Sequence, residues 1–280
     1  MNNKLVIFSL VTCLFSWACW LPIIGELQSN PFESGGAVLL LFFLGAYSPT
    51  LAGIVLTYFY ERGEGLRSLF KRVLMVKVGV IPLLVCFLAG PLFYAISVGL
   101  YVASGGNLGA VNYGLLPWIP IVFIAPIIFG PLAEEFGWRG FALPLLDHKK
   151  RFISSSLIIG FIWALWHAPL FWAKTGTAIS GLPVNPALIC LFFAAVISSS
   201  FIYTWLFNKT SGSLFVAIFL HLSMNASGTI VGMLFPELTP DQKLWMYKCY
   251  VFGLLAVLAI IFAFSYKAVL GTNKESSQTY

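Results

Sequence analysis

The sequence predicts an all-α membrane protein, a bundle of about eight transmembrane helices. Of its 280 residues 59% are hydrophobic and only 9% are charged, whereas an ordinary globular domain carries about 25% charged residues. The mean hydropathy is +0.91, and apolar runs alternate with short polar breaks along the whole chain. A soluble monomer of this composition would expose large apolar patches, which such proteins rarely tolerate. The lipid bilayer is therefore the expected surroundings of this chain.

Eight apolar runs approach or exceed the length that a helix needs to cross a bilayer core, about 20 residues. In chain order the predicted spans are Leu5–Gly25, Gly36–Tyr60, Val78–Ser104, Leu116–Leu146, Phe152–Trp172, Ala187–Phe207, Leu214–Phe235 and Tyr250–Leu270. We expect one membrane domain, divided into N-terminal helices 1–3 (1–115), a catalytic core of helices 4–7 (116–235), and the last helix with a polar cytoplasmic tail (236–280).

The first span has two interpretations. Small residues in Ser16-Trp17-Ala18 stand at positions that a signal peptidase reads, which would be typical of a cleaved signal peptide. The apolar run continues beyond that point through Leu21-Pro22-Ile23-Ile24. We therefore expect an uncleaved first helix.

The distribution of Lys and Arg predicts the orientation. With eight spans, one side of the membrane receives twelve cations: Lys4, Arg62, Arg67, Lys71, Arg72, Lys77, Lys149, Lys150, Arg151, Lys209, Lys267 and Lys274. The other side receives three, Lys174, Lys243 and Lys248. Since cytoplasmic loops carry the excess of cations, we expect both termini in the cytoplasm of a multi-pass cell-membrane protein. The short N-terminus and lean loops suggest a bacterial source. The net charge of +6 forms no basic stripe, so nucleic acid is not an expected partner.

Ionisable side chains occur inside three predicted spans, where each is costly and indicates a functional site. The fourth span carries Glu134, Glu135 and Arg139, the fifth carries His167, and the seventh carries His221 with Asn225 close by. At a rise of 1.5 Å per residue, Glu134, His167 and Asn225 lie about 20–24 Å from the cytoplasmic boundary. This agreement in depth favours one site near mid-bilayer, formed by helices 4, 5 and 7, over scattered packing hydrogen bonds.

Helical spacing separates the roles of these groups. Glu135 and Arg139 are four residues apart, so they share a face and can pair. Adjacent carboxylates disfavour joint ionisation unless one is neutralised, and Glu134 is rotated about 100° away from Glu135. This leaves Glu134 free to titrate and act as a base. His221 and Asn225 are also four residues apart and point into one cavity.

These motifs resemble the family of CAAX proteases and bacteriocin-processing enzymes (the CPBP or Abi family), which includes the type II CAAX prenyl endopeptidases. The family pattern is E-E-x-x-x-R, then F-x-x-x-H, then H-x-x-x-N, and this chain has Glu134-Glu135-x-x-x-Arg139, Trp163-x-x-x-His167 and His221-x-x-x-Asn225. Trp163 replaces the usual Phe, and we interpret it as a packing change that supports the site. The motif core covers 131–226.

The resemblance implies an intramembrane endopeptidase with eight helices around a cytoplasm-facing cavity. Glu134 would activate water with help from His167, and His221 and Asn225 would hold the tetrahedral oxyanion. Glu135 and Arg139 would brace the site. The expected substrate is a membrane-associated or lipidated protein or peptide, and neither its identity nor the oligomeric state follows from the sequence.

The cofactor is open at this stage. Members of the family are commonly labelled metalloproteases, and Glu134, His167 and His221 could supply a zinc site, since catalytic zinc usually has three protein ligands. No H-E-x-x-H motif is present, and the amide of Asn225 suits an oxyanion donor. We favour a scheme without a metal and keep zinc as the alternative. A non-catalytic immunity or scaffold protein of the same family is a further alternative, which predicts loss of motif residues that this chain retains.

Overall fold

The computed structural model describes residues 3–146 and 151–275, and these form helices and connecting loops, with no strand among them. The α-helices are α1 Asn3–Trp20, α2 Gly36–Ala46, α3 Ser48–Lys71, α4 Val80–Ala103, α5 Ile119–Ile124, α6 Pro131–Glu135, α7 Phe152–Trp166, α8 Pro186–Lys209, α9 Leu214–Leu234 and α10 Pro240–Glu275. A π-helical turn, Phe136–Ala142, follows α6 directly. The prediction of an all-α helix bundle is confirmed.

The protein crosses the membrane several times. Among the described residues, six helical stretches are long and apolar enough to span a bilayer, and α2 with α3 makes a seventh, bent by 50°. The fifth predicted span, Phe152–Trp172, corresponds to α7, which at 15 residues is shorter than a full crossing. The last helix begins at Pro240, ten residues before the predicted start at Tyr250. Residues 276–280 of the predicted tail lie outside the described part.

The second predicted span, drawn as Gly36–Tyr60, is not one straight helix. It breaks at Tyr47, and a new helix begins at Ser48 with Pro49 in its first turn, where proline is favoured. The helix then continues through the charged residues expected to end it, as far as Lys71, with a kink at Arg62, whose φ is 57°. The apolar run ends at this point, the backbone at Arg62 leaves the helical conformation, and a second helical segment follows the kink.

The fourth span, predicted as a continuous helix, is a series of short pieces. Proline occurs in it at positions 117, 120, 126, 131 and 144. Each proline removes a backbone donor and disfavours the helical conformation before it, so α5 and α6 are only six and five residues long. Glycine separates them at Gly130, and α6 with the π-helical turn carries the polar motif.

Helix α3 fixes this irregular span through close backbone contact. A Cβ atom at Gly137 would collide with the carbonyl group of Pro49, and one at Gly53 would lie 2.9 Å from Gly137 Cα. Small residues allow helices in a membrane to approach this closely. Substitution of either glycine would therefore push the π-helical turn away from α3.

Three side chains from the α2–α3 region donate hydrogen bonds to backbone carbonyl groups of the fourth span. The Tyr47 hydroxyl donates to Ile128 O at 2.6 Å. Thr50 Oγ1 donates to Leu132 O at 2.9 Å, and Arg72 Nη2 to Gly140 O at 2.5 Å. These donors contact the fourth span before, within and after α6.

Candidate active site

Glu134 lies in α6 and is only 6% exposed. Its Oε2 atom accepts hydrogen bonds from two indole N–H groups, Trp163 Nε1 at 2.6 Å and Trp138 Nε1 at 3.3 Å. Its Oε1 atom lies 3.9 Å from His221 Nε2, which is too long for a hydrogen bond. One oxygen of the carboxylate is therefore fixed by the protein, and the other has no direct hydrogen bond in the described structure.

Trp163 does more than the packing that the sequence interpretation assigned to it. Its ring packs against Tyr203 and His221, as a phenylalanine ring could. Its indole N–H makes the shorter of the two hydrogen bonds to Glu134, and phenylalanine has no group that could make this bond. The reading of Trp163 as a packing change was therefore incomplete.

Glu135 points the other way and is fully buried. Its Oε1 atom accepts hydrogen bonds from Arg139 Nη1 at 3.0 Å and from His221 Nδ1 at 2.8 Å. A carboxylate can only accept from the imidazole, so His221 carries its proton on Nδ1 and directs Nε2 towards Glu134. The pair spaced four residues apart thus holds the histidine of another helix.

Arg139 lies between two aromatic rings, with its guanidinium carbon 4.4 Å from the Trp163 ring centroid and 4.2 Å from that of Tyr203. Its Nε and Nη2 atoms have no hydrogen-bond partner within the described part of the chain. The cation is therefore compensated by Glu135 and by the two rings, since an aromatic face attracts a desolvated cation. Tyr203 belongs to α8, which the sequence analysis did not assign to the site.

His167 caps the C-terminal end of α7. Its Nδ1–H donates to Trp163 O at 2.8 Å, because a carbonyl oxygen can only accept. In the neutral ring this leaves Nε2 as an acceptor. The side chain is half-buried and lines the same cavity as Glu134.

Asn225 and Gly130 meet across the site. A Cβ atom at Gly130 would lie 2.7 Å from Asn225 Nδ2 and 3.6 Å from His221 Nε2. Any larger residue at this position would therefore displace the amide of Asn225. Nothing in the sequence pattern singled out Gly130, because its neighbour belongs to a helix about 95 positions later in the chain.

The structure brings the predicted residues to one cavity of about 200 Å³. Glu134, Trp163, His167, His221 and Asn225 line it, whereas Glu135 and Arg139 lie behind its wall. The wall is completed by tyrosines that the sequence analysis missed: Tyr94, Tyr203, Tyr247 and Tyr250. They come from α4, α8 and α10, which correspond to the third, sixth and eighth predicted spans. Spans other than the fourth, fifth and seventh therefore also contribute to the site.

A second cavity of about 510 Å³ adjoins the first and shares Asn225 and Phe129 with it. Its lining includes 176–178, after α7, and Leu238 and Lys243, at the α9–α10 connection. The path away from Glu134 therefore leads to these loops. The basic segment after α3 lines neither cavity.

The zinc alternative can be compared with these contacts. Within 3–146 and 151–275 no group of three His, Cys, Asp or Glu side chains has the arrangement of a metal site. His221 Nδ1 and Glu134 Oε2 already have protein partners. In this conformation the proposed ligands do not fit a three-ligand zinc site, so we derive no step through a metal.

Trp138 was also missed, although the spacing rule used for Glu135 and Arg139 would have found it. It stands four residues after Glu134, as Arg139 stands four residues after Glu135. Both pairs form in the structure.

Two comparisons show which known proteins this chain resembles. Residues 116–227 match the sequence model of the family described as type II CAAX prenyl endopeptidase Rce1-like. The chain is also similar to a protein named CAAX prenyl protease 2 from Methanococcus maripaludis, with 22% identity over 249 residues. That alignment covers 87% of this chain and 88% of the relative. The matched segment contains the three motifs. Over 116–227 the chain is therefore similar to the type II CAAX prenyl endopeptidases, and the two comparisons support a membrane-embedded protease.

Proposed function

We propose that this protein hydrolyses a peptide bond of a membrane-associated or lipidated substrate, with Glu134 as the general base. The observation that carries the proposal is the asymmetry of the Glu134 carboxylate. Two indole donors fix Oε2, while Oε1 is left beside a cavity that His167, His221 and Asn225 also line. A base held in one orientation next to an open space can act on water placed there.

In the first step Glu134 Oε1 takes a proton from water, and the water oxygen attacks the carbonyl carbon of the scissile bond. His167 supports this step, since its Nε2 atom accepts a hydrogen bond and can orient the same water. Proton transfer by a positioned side chain contributes about 10²–10⁴-fold to a rate. Glu134 then returns the proton to the leaving nitrogen as the C–N bond breaks.

The tetrahedral oxyanion accepts hydrogen bonds from Asn225 Nδ2 and from His221 Nε2 when that ring is protonated. Glu135 supports the second donor, because its carboxylate already accepts the other ring N–H at 2.8 Å and stabilises a positive imidazole. Donors fixed before reaction stabilise the developing charge without reorganisation. Arg139 in turn holds Glu135 in place.

A mechanism without a metal is the form of the proposal that these contacts support. His221 binds Glu135 through Nδ1, and Asn225 presents an amide, which is a good oxyanion donor and a poor zinc ligand. The alternative in which Glu134, His167 and His221 bind zinc requires these side chains to rearrange. Metal content and turnover measured on one preparation decide between the two.

An apolar cleft supports a substrate with a membrane anchor. This cleft of about 550 Å³ lies between α4, α5 and α9 and shares Tyr94 and Val231 with the cavity of 510 Å³. Its lining includes Pro91, Ile119 and Phe123. The name of the Methanococcus relative refers to prenyl groups, and a lipid chain of that kind or a transmembrane segment would suit the cleft.

The test is a comparison of membrane and secreted peptides from cells that express the wild type or Glu134→Gln at equal levels. We expect a defined set of cleavage products to disappear in the variant while its substrate accumulates. Glu64→Gln is the matched control, because it makes the same chemical change at an exposed residue. An unchanged product set in a well-folded Glu134→Gln variant contradicts the role of Glu134.

A further inference from the structure

Segment 66–77 comprises the C-terminal end of α3 and most of its connection to α4. It lies between two apolar stretches that can span a membrane, because the apolar part of α3 ends at Tyr60 and α4 begins at Val80. No Asp or Glu occurs between Glu64 and Glu134. The charges of the segment are therefore all positive, and they belong to Arg67, Lys71, Arg72 and Lys77.

The outer face of the segment combines cations with large apolar side chains. Arg67, Lys71 and Lys77 are exposed, and in the described part of the chain none of the four cations has a carboxylate within ion-pair distance. Three apolar side chains that stand among them are 46%, 77% and 47% exposed, namely Phe70, Leu74 and Val76. This combination suits the boundary between lipid headgroups and acyl chains, where apolar groups enter the bilayer and cationic groups remain among the headgroups.

The inner face of the segment contacts the π-helical turn Phe136–Ala142. Leu69 is 1% exposed, and a Cβ atom at Gly140 would lie 2.8 Å from Leu69 Cδ1. The ring centroids of Phe70 and Phe136 are 5.5 Å apart. Arg72 Nη2 donates to Gly140 O. The segment therefore supports the turn at both its beginning and its end.

The same turn carries two side chains of the candidate active site. Trp138 donates a hydrogen bond to Glu134, and Arg139 pairs with Glu135. A π-helical turn is a rare conformation that occurs frequently at functional sites. A change in the position of segment 66–77 would therefore reach both carboxylates through one short piece of backbone.

We propose that segment 66–77 binds the headgroups of anionic phospholipids, and that this binding stabilises the π-helical turn beside it. The headgroups supply the negative charge that the segment lacks, and the acyl chains contact its exposed apolar side chains. Attraction to an anionic bilayer surface is worth about fivefold in affinity for each Lys or Arg near it. The proposed surface lies outside both cavities, and the proposal does not depend on the role of Glu134.

The first measurement is backbone amide exchange in 136–142, followed by mass spectrometry on the full-length protein in lipid nanodiscs. One set of nanodiscs contains phosphatidylcholine alone, and the other contains equal amounts of phosphatidylcholine and phosphatidylglycerol. Amides in a folded segment exchange when it opens locally. We expect slower exchange of 136–142 with phosphatidylglycerol, by a factor in the usual range of coupling between two sites, about 5–150. Exchange of 186–193, at the start of α8, is the internal control and should change little.

Two triple variants test whether the charges of the segment are responsible. Arg67→Gln, Lys71→Gln and Lys77→Gln together remove the exposed cations and keep Arg72. We expect this variant to exchange at the same rate in both kinds of nanodisc. Arg67→Lys, Lys71→Arg and Lys77→Arg together keep the charges, and we expect them to keep the response of the wild type. A glutamine variant that still responds like the wild type overturns the proposal.

The second measurement is direct binding, by native mass spectrometry of protein from detergent micelles that contain equal amounts of the two lipids. We expect the wild type to retain phosphatidylglycerol in preference to phosphatidylcholine. The glutamine variant should bind phosphatidylglycerol more weakly, by a factor on the order of 100 for three cations. Inorganic phosphate in large excess should not displace the lipid, since phosphate has no acyl chain. Displacement by phosphate, or equal retention of both lipids by the wild type, contradicts a lipid site.

A pair of single variants serves if the glutamine triple variant does not fold. Lys71→Gln removes one cation of the segment, and Lys248→Gln makes the same change at an exposed lysine of α10. We expect Lys71→Gln to weaken phosphatidylglycerol binding about fivefold and Lys248→Gln to have little effect. Equal effects of the two overturn the location of the site. Preferential binding without slower exchange of 136–142 overturns the stabilisation of the turn. Both measurements are independent of turnover, so a failure of Glu134 as the base is seen separately in the peptide comparison.

Discussion

Glu134 and Glu135 are neighbours in sequence, yet they face two different regions of the molecule. Glu135 belongs to a closed cluster with Arg139 and His221, in which the carboxylate and the guanidinium are fully buried. Glu134 faces the cavity with one oxygen held by indoles. A rotation of about 100° per residue is enough to separate a group that stabilises the fold from one that can do chemistry. The comparison predicts losses of stability in the closed cluster and losses of turnover at the cavity.

The largest effect is expected for Arg139→Ala. Removing one partner of a buried ion pair leaves the other charge uncompensated and costs about 3–5 kcal/mol. We expect lower yield and a lower unfolding temperature in detergent, together with loss of activity. Glu134→Gln is the contrasting variant and should keep the wild-type unfolding temperature. If Glu134→Gln unfolds and Arg139→Ala does not, the roles of the two regions are reversed.

Asn225→Ala should reduce turnover without reducing stability. Loss of one oxyanion donor typically costs 10²–10³-fold in kcat, or about 2.7–4 kcal/mol. Asn225 is exposed to the cavity, so its truncation leaves no buried group without a partner. The measurement is kcat and KM on purified protein, and Thr229→Ala, one turn further along α9, is the control. A change confined to KM argues against an oxyanion role.

Trp163→Phe tests whether the indole N–H positions the base. The ring over Arg139 is kept and only the donor to Glu134 is lost. A hydrogen bond to a charged group is worth about 1.5–3 kcal/mol, and since Trp138 still donates to the same oxygen we expect the lower end, about tenfold in kcat. Trp138→Phe removes the longer bond of 3.3 Å and should have the smaller effect. Equal activity of Trp163→Phe and wild type would restore the interpretation of Trp163 as packing alone.

The smallest effect is expected from metal removal. If Glu134 and Asn225 act as proposed, complete demetallation should leave kcat unchanged. The measurement is metal content by mass spectrometry alongside turnover on the same sample, since an apolar chelator can also occupy a membrane cavity. If turnover is lost together with the metal and stoichiometric zinc restores both, the result supports the alternative with Glu134, His167 and His221 as ligands.

The sequence was sufficient for the parts of the structure that depend on local rules. The apolar runs predicted the helices, and the spacing of four residues predicted the pair of Glu135 and Arg139, which the structure contains. The depth expected for Asn225 was too large, because 210–213 is not helical and α9 begins at Leu214. Measured from the start of α9 instead, Asn225 lies about 16 Å along the helix rather than 24 Å.

Contacts between distant segments could not be predicted in this way. No local pattern links Gly130 to Asn225, Tyr203 to Arg139, or the Trp163 N–H to Glu134, because each pair is brought together only by helix packing.

The hydrogen bonds that Tyr47, Thr50 and Arg72 donate to the fourth span have a consequence for biosynthesis. A helix interrupted by five prolines leaves carbonyl groups that bare lipid cannot satisfy. All three donors precede this span in the chain and are therefore synthesised first. The early helices would act as an assembly template that is already in the bilayer when the fourth span leaves the ribosome. A fragment limited to 116–227, the segment that matches the family, would lack this template, and we expect it to fail at insertion rather than at catalysis.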